Sequence, residues 1–218
     1  MKTLYLSLGP TCKPVYYLDE SKLRSFSSPM DWLAYQFDTV IKFYKSDFDS
    51  FLDEYEEMES DPEYEFRKIY DTKNNVLVMH SISKNLKLED GVNSYLKKVD
   101  KRWKRLQKKI EENDVIVFLS AYQYDFEKLK KSIDELETIF NNKKLVIVNV
   151  YNCPEEKKLI HRINSKKTIV EYFFEDDSKK DWKGNKKGWD NVIQDMQLDN
   201  YFSEKSENKE LYMCTIEK

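Results

Sequence analysis

Side chains able to do nucleophilic chemistry are scarce in this chain of 218 residues, which has three cysteines (Cys12, Cys153, Cys214) and two histidines (His80, His161). Cys12 closes the stretch "SLGPTC", where the apolar run "TLYL" meets Gly9-Pro10 and then the helical pattern "KPVYYL". A strand that turns sharply into a helix leaves backbone N–H groups free at the helix start. A thiol placed there feels those groups and the positive end of the helix dipole, and both lower its pKa toward thiolate. A small buried hydrophobe is the plainer reading of a lone cysteine. A thiolate nucleophile needs a base. His80 ends "NVLVMH", and a parallel strand there would carry it to the carboxyl edge of the sheet, where "TLYLSL" brings the Cys12 turn. His161 lies in "EEKKLIHRI", which reads as a charged surface segment. The chemistry expected is acyl transfer or hydrolysis at an amide or thioester bond. Cys12 attacks, His80 takes and returns the proton, and N–H groups between Gly9 and Cys12 stabilise the oxyanion.

The stretch "LRSFSSPMDW", Leu23 to Trp32, adds polar candidates. Pro29 fixes a bend, and Asp31 either orients the histidine, caps the element that follows, or does both. Asp125 and Asn149 stay open beside Asp31 as the third catalytic partner. Ser7 is a rival nucleophile, and Ser7, Gly9, Ser28 and Trp32 are candidate substrate contacts, although Trp32 also suits a packing role. In the basic run "KKVDKRWKRLQKK", Arg102 is the one cation singled out to clamp a carboxylate or phosphate. The rest reads as a solvated helix face balanced by "DEYEEMESDPEYE".

These residues must be positioned by strands and helices. "TLYLSL", "NVLVMHSI", "DVIVFLSA", "KLVIVNVY" and "TIVEYFF" are short, nearly continuous apolar runs, as strands covered on both faces are. Between them, "GVNSYLKKVDKRWKRLQKKIEEN" and "DFEKLKKSIDELETIFNN" carry helical periodicity; in the second, Phe126, Leu129, Ile133, Leu136 and Ile139-Phe140 share a face. Alternating strands and helices predict an α/β fold, a three-layer sandwich around a mostly parallel sheet. Residues 31–70 read as a helical insertion after the first strand–helix unit, and 203–218 as a polar tail or an edge strand. A charged loop with Gly184 and Gly188 precedes a helix at "GWDNVIQDM". One domain over 1–218 is expected.

A formal charge of −3, from 37 basic and 40 acidic residues, gives no reason to expect nucleic acid or an anionic membrane as a partner. An odd number of cysteines without a CxxC pair argues against a disulfide framework and a structural zinc site, and neither metal nor cofactor is expected. No apolar run reaches the roughly 20 residues of a spanning helix, and the N-terminal run breaks too early for a signal peptide. A cytoplasmic protein acting on a peptide or small molecule fits these totals.

The order S-L-G-x-x-C, then R-x-x-S-x-P-x-D-W, then a histidine after a short strand and the Tyr-bearing basic helix "SYLKKVDKRWKRL", resembles a domain family of unknown function described as papain-like cysteine peptidases. The resemblance implies Cys12 as nucleophile and His80 as base. Met30 stands where the family usually has Phe, and Lys97 and Lys98 where it has two arginines, which removes a bidentate anion fork. A papain-like α+β architecture, with cysteine on a helix and histidine on an antiparallel sheet, is the alternative fold. The alternative function is a non-catalytic module in which the Gly-Pro turn, Arg102 and the Trp182–Trp189 loop recognise an anionic or sugar-bearing ligand at the sheet's carboxyl edge, with Cys12 buried and turned away.

Overall fold

The computed structural model describes residues 1–176 and 181–198. The last candidate strand, in 203–218, and Cys214 lie outside the described residues. Along the chain run β1 (Thr3–Ser7), α1 (Lys13–Glu20), β2 (Leu33–Ala34), α2 (Phe37–Lys45), β3 (Tyr55–Met58), β4 (Lys68–Asp71) and β5 (Val76–Val78). There follow α3 (Leu88–Glu111), β6 (Val115–Ser120), α4 (Phe126–Ile139), β7 (Lys144–Asn152), β8 (Lys157–Asn164), β9 (Lys167–Phe174) and α5 (Lys186–Leu198).

The main sheet has five strands in the order β1-β6-β7-β9-β8, all parallel except the edge strand β8. The continuous apolar runs are explained by burial of both faces. Every residue of β6 is buried. Ile116 and Phe118 join Leu145, Ile147 and the inner faces of α3 and α4, while Val115, Val117 and Leu119 join Val146, Val148, Leu18 of α1 and Trp189 of α5. The molecule is therefore a mixed α/β protein built on a mostly parallel sheet. No helix among the described residues is long and apolar enough to cross a membrane.

The edge strand β8 contains "KKLIHRI", which sequence reading left on the surface. Its pairing with β9 runs from Lys157↔Phe173 to Asn164↔Lys167. Lysines at such an edge discourage pairing with another chain, and they hide the strand in a charge pattern that reads as loop.

A second sheet of four strands runs β2-β5-β4-β3, all antiparallel. Two expectations are corrected here. Helix occupies only Phe37–Lys45 of the segment 31–70, and the remainder is loop with the short strands β2, β3 and the start of β4. The aromatic residues that mimicked a longer helical period, Phe48 and Phe51, sit in a loop with positive φ at Asp47, Phe48, Ser50 and Leu52. They pack on Phe43, and Phe48 also meets Trp103. Second, "NVLVMH" supplies β5 of this small sheet and not a strand of the parallel one. The turn "DTKNN" closes a β4–β5 hairpin, with the Asp71 carboxylate accepting from the amides of Leu52 (2.8 Å) and Asn74 (2.9 Å). Three apolar residues fit either sheet; the hairpin decides.

Both sheets share one core, in which Val76 and Val78 of β5 and Phe37, Val40 and Phe43 of α2 meet Phe118 and Leu136. A polar tie reinforces it. Asn149 holds the chain leaving β6 by accepting from the Tyr122 amide (3.0 Å) and donating to the Tyr122 carbonyl (2.8 Å), and the Tyr122 hydroxyl donates to the Tyr35 carbonyl just past β2 (3.0 Å).

Candidate functional site

The parallel ladder runs one residue past β1, with the Leu8 amide donating to Leu119 O at 2.8 Å, before the chain turns at Gly9. Gly9 has φ +39°, and a Cβ there would lie 2.8 Å from Tyr122 Oη and 2.9 Å from Tyr35 Cε2, so both conformation and space require glycine. Cys12 is the N-cap of α1, its carbonyl accepting from Tyr16 N at 3.0 Å. Among the described residues the amides of Thr11 and Cys12 donate to no other protein group. They lie at the N-terminal, positive end of the helix.

His80 leaves β5 two residues after Val78 and meets this turn. Its Nε2 lies 3.6 Å from Cys12 Sγ, within contact distance for a sulfur hydrogen bond. The other ring nitrogen, Nδ1, is paired with the Tyr64 hydroxyl. Tyr64 sits between β3 and β4 on a loop whose Asp61 carbonyl accepts from Tyr64 N at 3.1 Å and from Lys84 Nζ at 2.5 Å. The loop is thus tied to the chain just beyond His80. Sequence reading missed Tyr64, one of 15 tyrosines in an acidic stretch with no motif to mark it.

Burial governs both titrations. It pushes the Cys12 thiol up and the His80 imidazole down, so each favours its neutral form. This reverses the expectation of a thiol poised as thiolate by the helix end alone; the resting pair is thiol and imidazole.

Asp31 does not reach the histidine. Its carboxylate accepts from Ser7 Oγ (2.8 Å), Arg24 Nε (2.9 Å) and Ser28 N (2.8 Å). Burial pushes its carboxyl up, against the pull of Arg24, Ser7 and Ser28. Its role is to close the Ser28–Asp31 turn and pin it to the end of β1. That turn ends at Trp32, held at φ +64°, whose ring stands edge-on to His80 with centroids 6.1 Å apart. The other open candidates are also occupied: Asp125 caps α4 by accepting from Lys128 N at 2.8 Å, and Asn149 braces Tyr122.

Cys12 and His80 open into a cavity of about 480 Å³, walled by Pro10, Trp32, Met79 and Trp182 among others. Of the candidate substrate contacts, Trp32 lines it. Ser7 and Ser28 are buried in the Asp31 turn, Gly9 shapes the backbone, and Arg102 on α3 lines neither this cavity nor its neighbour. Ser7 is accordingly no rival nucleophile, being buried and bonded to a carboxylate. His161 is engaged elsewhere, with Nε2 2.6 Å from Glu171 Oε2 and its ring 4.2 Å from that of Phe126. Among the described residues no cluster of three or more His, Cys, Asp or Glu is placed to hold a metal ion.

A mixed α/β scaffold thus sets a cysteine at a helix start against a histidine that follows a strand of the antiparallel sheet. A family model matches residues 3–166, and the chain belongs to that family, DUF1796, described as "Putative papain-like cysteine peptidase". Comparison with curated proteins and with solved structures gave no match.

Proposed function

We propose that the protein is a cysteine hydrolase or acyltransferase with Cys12 as nucleophile and His80 as general base. The observation that carries this reading is the 3.6 Å approach of Cys12 Sγ to His80 Nε2 at the wall of an open cavity. Nδ1–H donates to the Tyr64 hydroxyl, leaving the Nε2 lone pair directed at the thiol. As substrate binds, the S–H proton passes to Nε2 and sulfur bonds to the carbonyl carbon. The oxyanion takes hydrogen bonds from the free amides at Thr11 and Cys12, where one such donor contributes about 2.7–4 kcal/mol in characterised enzymes. Collapse breaks the bond to the leaving amine or thiol, which takes the proton from Nε2. Water, deprotonated by His80, then cleaves the thioester, releasing the acid and restoring the thiol; another nucleophile in its place gives acyl transfer.

Asp31 supports this chemistry from a distance, by fixing the turn that presents Trp32. The reading as a non-catalytic module had a different mark, a cysteine turned away from the cavity, and Cys12 lines the cavity wall. Helices on both faces of the main sheet make a helix–sheet–helix layering the reading we favour for the architecture.

The test is covalent trapping. Intact-mass measurement after mixing with an S-benzyl thioester of N-acetylphenylalanine is expected to show one acyl group added at Cys12 and benzyl thiol released. No adduct on Cys12→Ala is expected. An adduct that persists in Cys12→Ala, or none on the wild-type chain, overturns the proposal.

A further inference from the structure

Trp182 is an anomaly of packing: it is 49% exposed, whereas Trp189 in the same segment is fully buried. It is nonetheless held in place. The buried ion pair of Lys13 with Asp176 clamps the loop 181–185 to the first residue of α1. Asp176 Oδ1 also accepts from Asn185 N (2.8 Å) and Trp189 Nε1 (3.3 Å). Gly184, at φ +74°, fits where any Cβ would strike Asp176 and Lys13. The indole packs edge-on against Tyr16 at 5.2 Å and its other surface faces the cavity of Cys12 and His80. A tryptophan packed on one side against Tyr16 and otherwise exposed on a cavity rim is suited to be an aromatic ligand contact.

The far side of the cysteine differs. A second cavity of about 280 Å³ is lined by Thr11, Lys13, Gln123, Asn152 and Asp176 among others. Thr11 and Lys13, the neighbours of Cys12 in sequence, border both cavities. Because Lys13 is paired with Asp176, this second space offers amide and hydroxyl groups without a net charge to match an ionic ligand.

We infer that the substrate is an amide or thioester with an apolar, aromatic-sized group on one side of the reacting carbonyl and an uncharged polar segment on the other, and that Trp182 selects the apolar group. This rests on the Cys12–His80 reading above. Trp182 lies beyond residues 3–166, so the selecting wall comes from outside the part of the chain that defines the family. The anionic ligand expected through Arg102 loses its support, since that side chain borders neither cavity.

Three alkylating probes separate this inference from the reading beneath it: iodoacetamide, N-benzyliodoacetamide and N-(carboxymethyl)iodoacetamide, used on the full chain with Cys153 and Cys214 changed to serine. In each reaction Sγ bonds to the methylene carbon, iodide leaves, and the thiol proton goes to solvent through His80. The benzyl probe is expected to react at least about 10-fold faster than iodoacetamide, within the range an apolar pocket discriminates, and the carboxylate probe more slowly than either. Trp182→Ala is expected to bring the benzyl rate to within about 3-fold of the iodoacetamide rate measured on the same variant. Equal benzyl and parent rates in the unaltered site, or a preference that survives Trp182→Ala, overturns the inference. The reading beneath it fails separately, if the iodoacetamide rate is indifferent to His80→Ala.

Discussion

The two sheets bring the two reacting side chains together from unlike foundations. Cys12 follows a strand paired in register with β6, itself buried at every residue, and its turn is locked by Gly9 against Tyr35 and Tyr122. His80 follows a three-residue strand of a sheet whose outer member, β3, is largely exposed. Cys12 is thus carried by the main sheet, and His80 by a smaller hairpin system whose inner strand shares the same core while its outer strand faces solvent.

The largest effect that would break this contrast lies in the main sheet. Phe118→Ala removes a side chain with no exposed surface from the shared core, and is expected to cost about 3–5 kcal/mol in urea denaturation. The iodoacetamide rate of Cys12 in the fraction still folded is expected to stay near that of the wild type. A large loss of reactivity without loss of stability would place the site's rigidity elsewhere. A smaller effect sharpens the other half. Tyr64→Phe is expected to leave stability within about 0.5 kcal/mol, since Tyr64 is 36% exposed. It deletes the hydroxyl paired with Nδ1, an acceptor for the imidazolium, so the His80 pKa, already lowered by burial, is expected to fall further. Because His80 must be neutral to accept the thiol proton, activity appears as pH rises through that pKa. The acid limb of the wild-type rate therefore lies below pH ~6.5, the ordinary histidine value, and moves lower still in Tyr64→Phe. An unmoved limb would remove Tyr64 from the site.

Much of the main sheet was legible in the sequence, because buried apolar runs with amphipathic helices between the first three of them admit few arrangements other than a mostly parallel sheet. "SLGPTC" likewise announced a strand-to-helix turn that only glycine could make. The half that carries His80 was less legible. Val76–Val78 is too short to reveal which sheet it joins, and the "DTKNN" hairpin signal beside it was the available cue. In β8 the edge lysines disguised the strand. Asp31 looked like a catalytic partner because a carboxylate near a turn suits either role; its choice of Ser7, Arg24 and Ser28 over His80 depends on tertiary distances. Trp182 was legible in the sequence as part of a ligand-recognising Trp182–Trp189 loop, but Tyr64 stands in a charged segment where composition gives no sign of a site, and only the folding of its loop brings it to His80.

The central claim, that Cys12 and His80 act as one proton-sharing pair, is tested most directly by the pH dependence of iodoacetamide alkylation at Cys12, compared with His80→Ala, with the other cysteines replaced by serine. The account predicts a rate plateau that begins at the lowered His80 pKa and ends where the thiol itself ionises, above its ordinary range, and it predicts loss of that plateau in His80→Ala. Superimposable profiles for the two proteins would contradict it.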